Sequence, residues 1–80
     1  MDEQSIQFAM QAIVLHLQQH PQSADTLEGV HLWWVPWPNI QESRLVTAEA
    51  LHRLQNAQRV ESRTIGEREL WRLPRTAADE

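Results

Sequence analysis

The chain has 80 residues and a mass of 9.4 kDa, which surface scaling converts to about 13,600 Å² unfolded and about 5,000 Å² folded. Burial on that scale supports one small core, so a barrel enzyme or a dinucleotide-binding domain with a separate substrate domain is excluded. With no Cys there is neither a disulfide framework nor a thiolate zinc site, and the formal net charge is −4. The opening Met1-Asp2-Glu3-Gln4 lacks the basic stretch and apolar run of an export signal, and the longest apolar run, Val30 to Val35, holds His31 and stops at Pro36. A cytoplasmic protein with no membrane span is the expectation.

The charge is unevenly placed. Residues 1–40 carry Asp2, Glu3, Asp25 and Glu28 with no Lys or Arg, whereas residues 41–76 carry seven Arg against five Glu, and Asp79 and Glu80 follow. Every basic residue is Arg, the side chain suited to paired hydrogen bonds with carboxylate or phosphate. This split hints at a polar binding face in the second half. A solvated hairpin with cross-strand Arg and Glu pairs is the plain alternative.

Ile6, Ala9, Met10, Ile13, Val14 and Leu17 recur at helical spacing and form one stripe, so a helix is expected from about Ser5 to Gln19, ended by His20-Pro21. Phe8, Ala12 and Leu15 make a second apolar strip on the opposite side. Such a strip suits self-association as a homodimer, unless the chain termini cover Phe8 and Leu15. Ser23 then reads as the N-cap of a second helix, with Asp25 and Glu28 in its first turn, running to about Trp34. The segment Val30-His-Leu-Trp-Trp-Val is rich in strand formers and also fits a strand. The cap, and Leu27, His31 and Trp34 falling on one face, favour the helix.

Pro36-Trp-Pro-Asn breaks the chain, and Asn39-Ile-Gln-Glu42 has the spacing of a capping box for a third helix. Its inner face reads Ile40, Val46, Thr47, Ala50, Leu51, Leu54 and Ala57. Its outer face reads Gln41, Leu45, Glu49, His52 and Asn56, flanked by Arg53 and Gln55. From Arg59 the period changes to two and a hairpin follows, with Gly66 in its loop. A loop of two or four residues puts Val60, Trp71 and Leu73 inside and Arg59, Arg63, Arg68 and Arg72 outside around Glu61. Ile65 disfavours the commonest two-residue turns, so a type II turn or a longer loop is expected. Residues 1–74 are read as the domain and 75–80 as a disordered tail.

The class is therefore α+β, mainly α, in the order of a three-helix winged helix-turn-helix with a C-terminal two-stranded wing hairpin. Ala50-Leu51-x-x-Leu54-x-x-x-Gln58-Arg59-Val60, the turn at Gly66 and Leu70-Trp71-x-Leu73 resemble the recognition-helix-to-wing signature of the small MarR- and PadR-like transcription regulators. Gln58 stands where that family usually has Gly, and the wing is short. The resemblance implies that helix 3 enters the major groove of duplex DNA while the wing meets the backbone. Residue by residue, it implies Gln41, Ser43, Arg44, Thr47 and Ala48 at the entering end, His52, Gln55 and Asn56 further along, and Arg63 and Arg68 near the wing tip, with Arg59 on the wing's outer face. Gln and Asn suit adenine, Arg suits guanine or phosphate, and Leu45 suits a thymine methyl. Glu42 and Glu49 oppose phosphate approach.

Other chemistries find less footing. His16 and His20 have a metal-holding spacing, but no third ligand completes it. The four Trp are expected mainly in the core, with Trp33 or Trp37 partly exposed. No Gly-rich phosphate loop or nucleophile, His and Asp arrangement can be assembled, so neither an enzyme nor a cofactor is expected. A protein interaction module, docking through the acidic half, an exposed Trp or the Arg-lined hairpin, is the second reading.

Overall fold

A computed structural model describes residues 2–38 and 43–74, and it contains three helical segments and a three-stranded antiparallel sheet, mainly helical. The first helix, α1 (Glu3–Gln19), starts two residues before Ser5 because the Asp2 carboxylate caps it, accepting from the Gln4 amide at 3.2 Å and the Ser5 hydroxyl at 2.9 Å. Ile6, Ala9, Ile13 and Leu17 are its buried stripe, and it ends at His20 before Pro21.

Ser23 does not cap a helix. Its hydroxyl hydrogen-bonds with His16 Nε2 at 3.2 Å, and the chain runs on extended as β1 (Ala24–Asp25). This strand is a correction to the expected two-stranded hairpin, and two residues are too few to display a period of two. The cap is Thr26, whose hydroxyl accepts from the Gly29 amide at 3.2 Å. Asp25 lies outside the helix, accepts from the Thr26 amide at 2.8 Å, and sits where any Cβ on Gly29 would overlap its carboxylate. The helix α2 (Leu27–Gly29) continues directly into a π-helical segment, Val30–Trp34. The helical reading of this run holds, and the wider π turn directs Val30, His31 and Trp34 inward together.

The helix α3 (Arg44–Asn56) is capped by the extended Ser43, whose hydroxyl accepts from the Leu45 amide at 3.0 Å, and so begins later than a cap at Asn39 requires. Asn39, Ile40, Gln41 and Glu42 lie outside the described residues. Val46, Thr47, Ala50, Leu51 and Leu54 are buried, whereas Ala57, expected on the inner face, is the exposed C-cap. Gln58 takes φ +61°, its amide donating to Gln55 O at 2.9 Å and the Arg59 amide to Leu54 O at 2.8 Å. This is the paired closure that Gly usually supplies after a helix, here carried by Gln in the left-handed region.

The strands β2 (Glu61–Ile65) and β3 (Arg68–Arg72) are joined by Gly66 and Glu67 alone, with Gly66 at φ +65°. A positive φ at the first loop residue only is the pattern of a type II′ turn, a two-residue loop in place of the expected type II or longer one. The even register follows, pairing Ser62 with Trp71 and Arg63 with Leu70, and β1 adds on the other side of β3 through Ala24 to Arg72 and Asp25 to Trp71. The core is the α1 stripe laid on α3, closed by Val30, Trp34 and Val35 from α2 and its π segment, and by Val60 and Trp71 from the sheet. Among the described residues no helix is long and apolar enough to cross a membrane.

Candidate nucleic-acid interface

The outer side of α3 is built by its own period. With Val46, Ala50 and Leu54 turned to α1, the positions Leu45, His52, Gln55 and Asn56 are left exposed, and Ala48 is half-buried beside them. Leu45 is 68% exposed. The sheet stands next to this face, and the His52 ring lies 6.1 Å from that of Trp71. On the sheet's outer surface the register gathers Glu61, Arg63, Ile65, Arg68, Leu70 and Arg72, because directly opposed residues share a face.

The arginines divide into two groups. Arg44 is ion-paired with Glu28, Arg53 bridges Glu3 at 2.6 Å and Glu49 at 2.8 Å, and Arg72 lies 3.5 Å from Glu61. The hydrogen bonds from Arg53 and Gln7 hold the Glu3 carboxyl below its usual range, and the same pairing raises Arg53 further. Arg59, Arg63 and Arg68 are exposed and have no ion-pair partner among the described residues. These three, with the uncharged strip of α3, are the groups available to an anionic partner. Glu67 and Glu69 on the same hairpin partly offset them.

Several expected contact residues have other positions. Thr47 is a correction: it is 0% exposed, and its hydroxyl hydrogen-bonds with Nδ1 of the buried His31 at 2.6 Å, tying α3 to the π segment. Trp37 also packs against that histidine, its Nε1 donating to His31 O at 3.1 Å. Ser43 uses its hydroxyl on the helix cap. Gln41 lies outside the described residues. His52, Gln55, Asn56, Arg59, Arg63 and Arg68 are exposed, and Arg44 is exposed but paired.

The second strip of α1 is also partly occupied. The ring of Trp37 lies 5.5 Å from that of Phe8 and covers it, leaving 39% exposed, so it is the loop after the π segment that shields Phe8. Leu15 is 53% exposed and borders a groove lined by Ala12, His16, Trp33, Trp34 and Pro36. Trp34 and Trp71 are core residues and Trp37 is half-buried, whereas Trp33 is 79% exposed. His16 stacks on Trp34 at 4.5 Å and meets His20 at 4.9 Å, and burial first, then the His20 charge, lowers its pKa. Among the described residues no group of three His, Cys, Asp or Glu is placed to hold a metal ion.

Sequence reasoning missed β1, the His31 to Thr47 bond and the Trp37 cover, all of which join residues distant in the chain. No protein-family model matches this sequence, and no curated protein or solved structure matches it either.

Proposed function

We propose that this chain is a winged-helix domain, related to the small MarR- and PadR-like regulators, that binds duplex DNA with the exposed face of α3 and steadies it with the hairpin arginines. The observation that carries this reading is an exposed run of hydrogen-bonding side chains on α3, His52, Gln55 and Asn56, followed in the chain by three exposed arginines that have no ion-pair partner among the described residues. In this arrangement His52, Gln55 and Asn56 meet base edges while Arg59, Arg63 and Arg68 meet phosphates. The strand β1 adds support, since its pairing with β3 ties the hairpin back to the segment between α1 and α2. A helix and a wing held at one distance suit the repeating geometry of a duplex.

Three phosphate contacts set the scale of binding at weak, salt-sensitive affinity, with a slope of log K on log salt near −2.7 at about 0.9 per phosphate. The test is Arg63→Glu with Arg68→Glu, followed by titration with a random duplex at two salt concentrations. The slope should fall by about 2 and the affinity drop for every sequence alike. An unchanged duplex affinity in that variant overturns the role of the hairpin. A protein interaction module is the second reading, favoured by the exposed indole of Trp33 and the acidic first half.

A further inference from the structure

We propose that the groove between α1 and the start of the hairpin is a binding site for a single-chain carboxylate amphiphile, Arg59 holding the carboxylate while the chain lies over Met10, Val14 and Leu54. The groove has a volume of about 320 Å³, and Gln7, Gln11 and Gln18 border it along α1. A smaller cavity of about 80 Å³ adjoins it through shared walls, since Val14, Gln18 and Arg59 line both, and reaches Leu17 and Leu73. The floor is the core itself: Leu17 is 1% exposed and Leu54 4%.

Charge selects the head of the occupant. Among the described residues that line the two cavities, Arg59 alone is charged. Its guanidinium has no ion-pair partner among the described residues, whereas Arg53 on α3 is held by Glu3 and Glu49. The backbone at Arg59 is fixed on both sides, because its amide donates to Leu54 O at 2.8 Å after the left-handed turn at Gln58, and Val60 is buried. An anion therefore meets a cation whose backbone is already placed at the border of the groove. One guanidinium matches one carboxylate in charge and in paired hydrogen bonds, while a phosphomonoester at about −1.5 to −2 exceeds it. The Gln18 amide, which borders both cavities, can donate to a remaining lone pair of the carboxylate.

Shape selects the tail. The walls run along α1 from Gln7 to Gln18, about 16 Å at the helical rise. A volume of about 320 Å³ over that length leaves a mean section of about 20 Å², which suits one extended hydrocarbon chain better than a ring system. Arg59 and Gln18 mark the end of the groove where the small cavity joins, so the head sits there and the chain runs over Val14 and Leu54 toward Met10. Each methylene removed from water adds up to about fourfold in affinity. A groove open along one side covers only part of the chain, which places the affinity in the high micromolar range.

Arg59 precedes β2, outside the register that gathers Arg63 and Arg68, so the site does not rest on duplex binding and its test is made without DNA. Sodium dodecanoate titrated to about 1 mM into the isotopically labelled protein should shift the methyl resonances of Met10, Val14, Leu54 and Leu73 together with Arg59 Nε, saturating as one site. Arg59→Gln, at an exposed position, should keep the circular dichroism spectrum and weaken dodecanoate by about tenfold. Two further probes read the wild-type protein and need no variant. Dodecyltrimethylammonium, with the same chain and a cationic head, and benzoate, with the same head and no chain, should each bind more weakly than dodecanoate by at least about tenfold. No shift at these methyls, shifts confined to the groove beside Trp33, or full dodecanoate affinity in folded Arg59→Gln overturns the proposal, as does either probe binding as tightly as dodecanoate.

Discussion

The outer faces of α1 and α3 are both regular helical surfaces on the same small core, and they meet solvent with opposite chemistry. Charge flanks the uncharged strip of α3 and lies on the adjoining hairpin, and three of the six described arginines are paired: Arg53 with Glu3 and Glu49, Arg44 with Glu28, Arg72 near Glu61. Past its first turn the exposed positions of α1 itself are glutamines, Phe8 and Leu15, with Arg59 bordering them from the start of the hairpin. The buried halves of the two helices are alike, both apolar stripes at helical spacing, so packing does not impose the difference. A core fixes which residues must be apolar and leaves the outer positions free, and their composition then separates a salt-sensitive surface from a salt-insensitive one.

Salt sharpens this contrast with the largest expected effect. Between 50 mM and 500 mM salt, duplex affinity carried by three arginines should fall by about 500-fold, following a slope of about −2.7. Fluorescence anisotropy of a labelled duplex measures that fall. A duplex affinity that stays constant over that range would break the contrast, because it would take the arginines out of the contact.

Thr47 tests where the outer face of α3 stops. The sequence alone puts it on both sides of the helix, with the inner stripe and among groups reaching DNA. Its hydroxyl is buried against His31, so Thr47→Val leaves a buried ring nitrogen without its partner and should cost about 1–3 kcal/mol of stability. Urea denaturation reads that loss, while duplex affinity measured well below the unfolding transition should not change. A variant of wild-type stability with weakened duplex binding would instead return Thr47 to the interface.

The legible parts of the molecule are those with a long enough period. The α1 stripe spans the whole helix and was readable from Ile6 to Leu17, and the alternation of Val60, Trp71 and Leu73 gave the correct hairpin parity. The strand β1 has two residues, and Ser23 offered plausible capping chemistry while the cap itself was Thr26. The sequence also hid which arginines are occupied. Glu28 and Arg44 are sixteen residues apart and Glu3 and Arg53 fifty, so their pairing needs the packed helices, and only that pairing separates Arg59, Arg63 and Arg68 from the others.

Gln58 marks the joint between α3 and the hairpin, and it is the one described non-glycine residue with positive φ. The left-handed region costs a residue with a Cβ about 1–2 kcal/mol, and Gly avoids that cost while losing more entropy on folding. Gln58→Gly should therefore stabilise the domain by about 1 kcal/mol, raising the melting temperature by roughly 4–8 °C for a chain of this size. The backbone closure is already formed, with the Arg59 amide on Leu54 O and the Gln58 amide on Gln55 O. The hairpin should keep its direction, and duplex affinity should stay at its wild-type value. A stabilised variant with altered duplex affinity would mean that strain at Gln58 sets the angle between helix and hairpin, which would couple the charged face to the backbone that ends α3.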